Sequence, residues 1–136
     1  MSTKIFVNVP VRDLDKSKEF FTAIGFSINP QFTDETAACV VITEDIYVMI
    51  LTHEKFKQFT PKKISDATTT SEVLLALSFD SRDKVNEIAG KALEAGGSVA
   101  NPPQDYGFMF TRSISDPDGH IWEFFWMDPA NVQSGS

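Results

Sequence analysis

The sequence predicts an α+β protein made of two βαβββ modules, and three observations carry that prediction. A strand-like opening, "KIFVNVPV" (4–11), is followed by one helical stretch and three short apolar runs. The same order of elements returns after residue 71. Between the copies lies "HEKFKQFTPKKISDATTTS" (53–71), which is charged, Thr-rich, broken by Pro61 and without a sustained period. The chain thus reads as a single domain with module one at about 4–52, a connector at 53–71, module two at about 72–127 and a tail at 128–136. A chain of 136 residues can bury roughly two thirds of the surface its unfolded form exposes, so it needs no metal or disulfide to fold.

The elements follow in order. β-branched and aromatic residues make 4–11 a strand. In "RDLDKSKEFFTAIG", Asp13 is placed to cap a helix, Leu14, Phe20, Phe21 and Ile24 supply its apolar positions, and Gly25 stands where it would end. "FSIN", "AACVVIT" and "DIYVMILT" are separated by turn formers and predict a three-stranded antiparallel meander. The connector has room for one helical turn at "HEKFKQF". Module two opens with the strand "EVLLALSFD". Its helix, "SRDKVNEIAGKALEAGG", is capped at Ser81 and closed by Gly96 and Gly97. A short strand is expected around "SVAN", then "GFMFTRSIS" and "HIWEFFWM". The last two are joined by "DPDG", with Asp first, Pro second and Gly fourth, which is type I turn chemistry and predicts a hairpin. "VRDL…AIGFSI" answers "FDSR…EAGGSV" with extra residues in the second helix. A repeat this long is no solenoid unit; two copies pairing their sheets about a pseudo-twofold axis fit better.

Composition excludes several classes. A net charge of −7 and a pI near 4.7 argue against nucleic acid, whose binding depends on Lys and Arg neutralising phosphates. No apolar stretch approaches the roughly 18 residues of a membrane-spanning helix. The start, "MSTKIFVNVP", has neither the basic head nor the apolar core of a signal peptide, and the single Cys39 cannot form an internal disulfide, so a cytoplasmic location is expected. The closing "VQSGS" reads as a frayed tail. Twelve Phe against two Tyr indicate aromatic packing or an apolar pocket.

The paired modules, the opening "VPVRDLDKSKEFFTAIGF" and the closing "DPDGHIWEF" together resemble the vicinal oxygen chelate superfamily. That group includes glyoxalase I, extradiol dioxygenases, methylmalonyl-CoA epimerase, fosfomycin resistance enzymes and bleomycin resistance proteins. The likeness runs from about residue 4 to 127. It implies modules curled into a paired, partly open β-barrel whose concave face is the binding site, a divalent metal (Zn, Ni, Mg or Fe) held there by strand residues, and a homodimer.

By position, Glu123 matches the family's carboxylate ligand in the closing strand. Alternation sends Ile121, Glu123 and Phe125 to one face and Trp122, Phe124 and Trp126 to a helix-packed core. The other ligand positions carry hydrocarbon: Phe6 and Leu74 stand where the resemblance expects His, and Ile50 where it expects Glu. Shifting the register by two keeps the face. It brings in Asn8, Glu72, Ala76, Val48 and Thr52, among which there is no His. His53 enters the connector, and His120 alternates away from Glu123. No tightly bound metal and no other cofactor is therefore expected.

A carboxylate buried without a cation has its pKa raised, which suits general acid/base work or a polar anchor for a ligand. The structural alternatives are a salt bridge, with Arg112 on the neighbouring strand the obvious cation, or hydrogen bonds to Asn8, Tyr106 or Thr111. "NPPQDYGFMFTR" (101–112) is the second pocket candidate, with Tyr106, Phe108 and Met109 as lining. The expected ligand-facing set is thus Phe6, Asn8, Ile50, Leu74, Tyr106, Phe108, Met109 and Arg112 around Glu123, taking a small, partly apolar organic molecule. Two rival readings stand beside it: a metal-dependent lyase, isomerase or extradiol-type dioxygenase akin to lactoylglutathione lyase, and a drug-sequestering resistance protein.

Overall fold

The computed structural model describes residues 3–131; the expected frayed tail at 132–136 lies outside them. The fold is α+β, with the βαβββ order appearing twice. The chain divides between Asp66 and Ala67, inside the expected connector, into two compact units.

The first unit holds β1 (Ile5–Val11), α1 (Leu14–Ala23), β2 (Ser27–Asn29), β3 (Ala37–Val41), β4 (Ile46–Thr52) and a short α2 (His53–Lys57). Its sheet has the order β1-β4-β3-β2, with β1 parallel to β4 and the other pairs antiparallel. The Asp13 side chain accepts from the Lys16 amide to start α1, and Gly25, at φ 113, turns the chain out of it. Val9, Val48, Ile50, Ala38 and Val40 make the fully buried side of this sheet, closed by Phe20 and Phe21 of α1. Ile50 was expected to face a ligand; instead it is 0 % exposed on the α1 side, paired with Val9 and Ala38. The residues of β4 that share a face with Phe6 and Asn8 are Tyr47 and Met49. "IYVMILT" is apolar at nearly every position, so its own pattern cannot show which set turns inward.

The second unit holds β5 (Leu74–Ser78), α3 (Arg82–Glu94), β6 (Ser98–Asp105), β7 (Met109–Ser115) and β8 (Ile121–Met127), in the order β5-β8-β7-β6. Ser81 caps α3 by accepting from the Lys84 amide. Trp122, Phe124 and Ile114 are buried on the side where α3 lays Val85, Ile88, Ala89 and Ala92. β6 is longer than the short strand expected around "SVAN", running through Pro102 and Pro103 to Asp105. It is an outer strand whose register with β7 shifts between Val99 and Asn101 and again between Asn101 and Gln104. The prolines sit in that irregular stretch, where no ladder N–H is required.

The β7–β8 turn is organised by Asp116, which is 5 % exposed. Its Oδ1 accepts from the amides of Asp118 and His120, each at 3.0 Å, and its Oδ2 from the Trp122 indole N–H at 3.1 Å. The Gly119 amide closes the turn on the Asp116 carbonyl at 2.9 Å. Gly119 has φ 93, and a Cβ there would lie 2.7 Å from the Ala67 carbonyl oxygen, so the first residues of the second unit lie against this turn. Among the described residues, no helix is long and apolar enough to cross a membrane.

Candidate functional site

Glu123 occupies the middle of β8, a central strand of its sheet. Ser113 of β7 lies directly across from it on one side and Ala76 of β5 on the other. Paired residues share a face, so Glu123 stands with Ser113, Thr111, Leu74, Ala76, Ile121 and Phe125 on the side away from α3. Ser113, 5 % exposed, donates its hydroxyl hydrogen to Glu123 Oε2. Glu123 itself is only half-buried, and no cation lies within salt-bridge distance of it among the described residues.

Arg112 is not its counter-ion. It pairs across the ladder with Phe124, on the α3 side, and its Nη1 donates to the Asn86 side-chain oxygen of α3 at 2.9 Å. Ser113 is the residue that sequence reasoning missed. Its neighbours also change the character of the face: Ser113, Thr111, Ser115 and Ser78 place hydroxyl groups around Glu123, where an apolar lining was expected.

The rest of the expected set separates. Leu74, 58 % exposed, shares the Glu123 face but lies two residues along, beside Ile121. Met109 shares it too, opposite Met127. Gln104 pairs with Thr111 on that face, and Tyr106, two residues on, donates its hydroxyl hydrogen to the Gln104 Oε1. Phe108 stands beside Tyr106 on the β6–β7 hairpin, ring centroids 6.4 Å apart. Phe6 and Asn8 belong to the first unit: the Phe6 ring stacks on Tyr47 at 4.5 Å, and the Asn8 side chain donates to the Phe6 carbonyl.

Metal-ligand chemistry is sparse at the matched positions. Phe6, Ile50 and Leu74 carry no donor atom, and Ala76, the immediate β5 neighbour of Glu123, carries none either. His53 opens α2, exposed, and His120 is tied by its backbone to Asp116 in the turn. Among the described residues, no three His, Cys, Asp or Glu side chains are grouped to hold an ion.

The family model described as Glyoxalase/Bleomycin resistance protein/Dioxygenase superfamily matches residues 5–124. The chain belongs to this superfamily. Its fold agrees with solved members of the glyoxalase/bleomycin resistance protein/dioxygenase group. A family enzyme from Burkholderia phytofirmans is 16% identical over 93% of this chain and 99% of its own, with a TM-score of 0.76. A hypothetical protein, SA1046 from S. aureus, is 26% identical over 93% of this chain and 94% of its own, with a TM-score of 0.78. TnmS3 of Streptomyces sp. CB03234, described as an antibiotic binding protein, is 20% identical over 93% and 97%, with a TM-score of 0.66. No curated protein matches the chain. The resemblance read from the opening and closing segments is thus superfamily membership, and the α+β architecture of two βαβββ modules is the superfamily's.

Proposed function

We propose that this chain binds a small, partly apolar organic molecule on the face of β5–β8 away from α3, with Glu123 as the polar anchor and without the superfamily's divalent metal. The supporting observation is a half-buried carboxylate whose neighbour across the ladder is a hydroxyl, not a cation. The side chain placed by sequence to neutralise it is held on the opposite face. A carboxylate so placed is free to meet an organic ammonium, and Leu74, Ile121 and Phe125 offer the hydrocarbon that such a molecule's body would cover. A metal fits poorly, because one carboxylate flanked by Ala76 and Ser113 leaves most of the coordination sphere to water.

Tryptamine is a suitable probe, having a flat aromatic body and one ammonium. Titrated against isotope-labelled protein, it should shift the amide resonances of β7 and β8, and Glu123→Gln should weaken it about tenfold, the scale of a lost charge-assisted hydrogen bond. Indole-3-acetate, with the same ring and a carboxylate, should not bind there. Shifts that avoid β7 and β8, or equal binding of the two compounds, would sink this reading. Stoichiometric uptake of Ni²⁺, Zn²⁺ or Fe²⁺ with turnover of a hemithioacetal or a catechol would replace it by a metal-dependent lyase or dioxygenase.

A second reading, sequestration of an antibiotic-like molecule, is favoured by the likeness to TnmS3 and by the chain's net charge of −7. Release of the ligand unchanged after prolonged incubation separates it from catalysis. The superfamily resemblance also supports a homodimer, which sedimentation equilibrium would test.

A further inference from the structure

Arg82, the first residue of α3, grips the β6–β7 hairpin from below. Its Nη1 donates to Asp105 Oδ2 at 2.7 Å, and its Nη2 to Asp105 Oδ1 at 2.9 Å and to the Gly107 carbonyl at 2.7 Å. Asp105 Oδ1 in turn accepts from the Gly107 amide at 2.9 Å. The guanidinium also lies over the rings of Phe110 and Trp126, at 5.4 and 5.0 Å. The two gripped residues flank Tyr106, whose own amide donates to the Met109 carbonyl at 2.8 Å.

The two faces divide the work. Asp105 pairs with Phe110 and, like it, meets Arg82, on the α3 side. Gln104 pairs with Thr111 on the Glu123 side, where it receives the Tyr106 hydroxyl. Tyr106 is 54 % exposed and Phe108 46 %, a large aromatic area for a hairpin tip. The ion pair beneath them is itself half-exposed, so it adds little to global stability. A bidentate fork with two aromatic faces fixes geometry more than it adds energy.

We propose that Arg82 is a positioning residue: it holds Tyr106 on the Glu123 face in one orientation, ready to contact a ligand. The ligand half of this proposal rests on the reading of Glu123 given above. Preorganisation of this kind lowers the ordering cost that binding would otherwise incur.

The chain's two tyrosines make the test direct. Protein grown with 3-fluorotyrosine has one ¹⁹F resonance from Tyr106, assigned with Tyr106→Phe, and one from Tyr47, an internal control in the other unit. In wild type the Tyr106 line should be single and narrow. Arg82→Lys keeps the charge but loses the fork, and Asp105→Asn weakens the other side. Either should broaden or split the Tyr106 line, leave Tyr47 unchanged and move the melting temperature by no more than about 2 °C. Tryptamine should bind Arg82→Lys several-fold more weakly than wild type. An unaltered Tyr106 line in both variants would overturn the positioning role. A disturbed line with unchanged tryptamine affinity would overturn its link to binding. Failure of wild type to bind tryptamine would count against the Glu123 reading, and the fluorine spectra would still decide whether Arg82 holds Tyr106.

Discussion

Asp116 shows what one buried carboxylate can organise. It accepts from two backbone amides and from an indole N–H, tying the turn to the strand that follows it. Asp116→Ala should therefore destabilise the protein by about 3 kcal/mol, measurable in urea melts, because three hydrogen bonds to one buried side chain are lost together. Burial pushes the Asp116 carboxyl above its ordinary value; the nearby His120 and the three N–H donors pull the other way. A raised folded pKa means that the fold favours the protonated form. Its contribution is fully present below the unfolded value and is lost as pH rises through the folded one. Wild type should accordingly hold a larger stability advantage over Asp116→Asn at pH 3.5 than at pH 7, and the reverse order would contradict the assignment. At this scale the sequence was most readable where chemistry is local. Asp13 and Ser81 announce their helices because a cap acts within three residues. The Arg82–Asp105 grip was not readable, since 23 residues separate its partners and nothing local marks either of them.

At the level of the hairpin, one extra residue decides which side chains meet. A plain two-residue turn at "DPDG" would set Asp116 against Gly119 and so Arg112 against Glu123. The structure instead pairs the Asp116 amide with the His120 carbonyl and leaves Gly119, at φ 93, as a bulge. That offset turns Ser113 toward Glu123 and Arg112 toward α3. A type I turn followed by a left-handed glycine is the signal that would have revealed it. Gly119→Ala should cost roughly 2 kcal/mol, by strain at that φ and by collision with the Ala67 carbonyl, and should be visible as a lowered melting temperature. The neighbouring β6–β7 hairpin titrates differently. The Arg82 guanidinium holds Asp105 well below the usual carboxylate range, at about 2. A depressed folded pKa gives a contribution present above the unfolded value and lost as pH falls through the folded one. The Tyr106 fluorine line should thus stay narrow at pH 4 and broaden near pH 2.

Across the whole chain, the repeated βαβββ order was legible because strands, caps and turns recur in the same succession. The candidate site was less so, because its make-up depends on how strands register against one another: Ile50 is buried in a strand without alternation, and Ser113, the hydrogen-bond partner of Glu123, went unseen. Calorimetric titration with Ni²⁺ or Zn²⁺ should show no stoichiometric binding, and a chelator should leave the melting temperature unchanged. The prolines of β6 have a consequence for handling this protein in concentrated solution. An outer strand offers its bare amides to any passing polypeptide, and growth of intermolecular sheet starts from such borders. Pro102 and Pro103 remove two of those hooks and bend the border out of register. Replacing both with threonine should leave the chain folded yet let it seed fibrils, detectable by thioflavin T fluorescence.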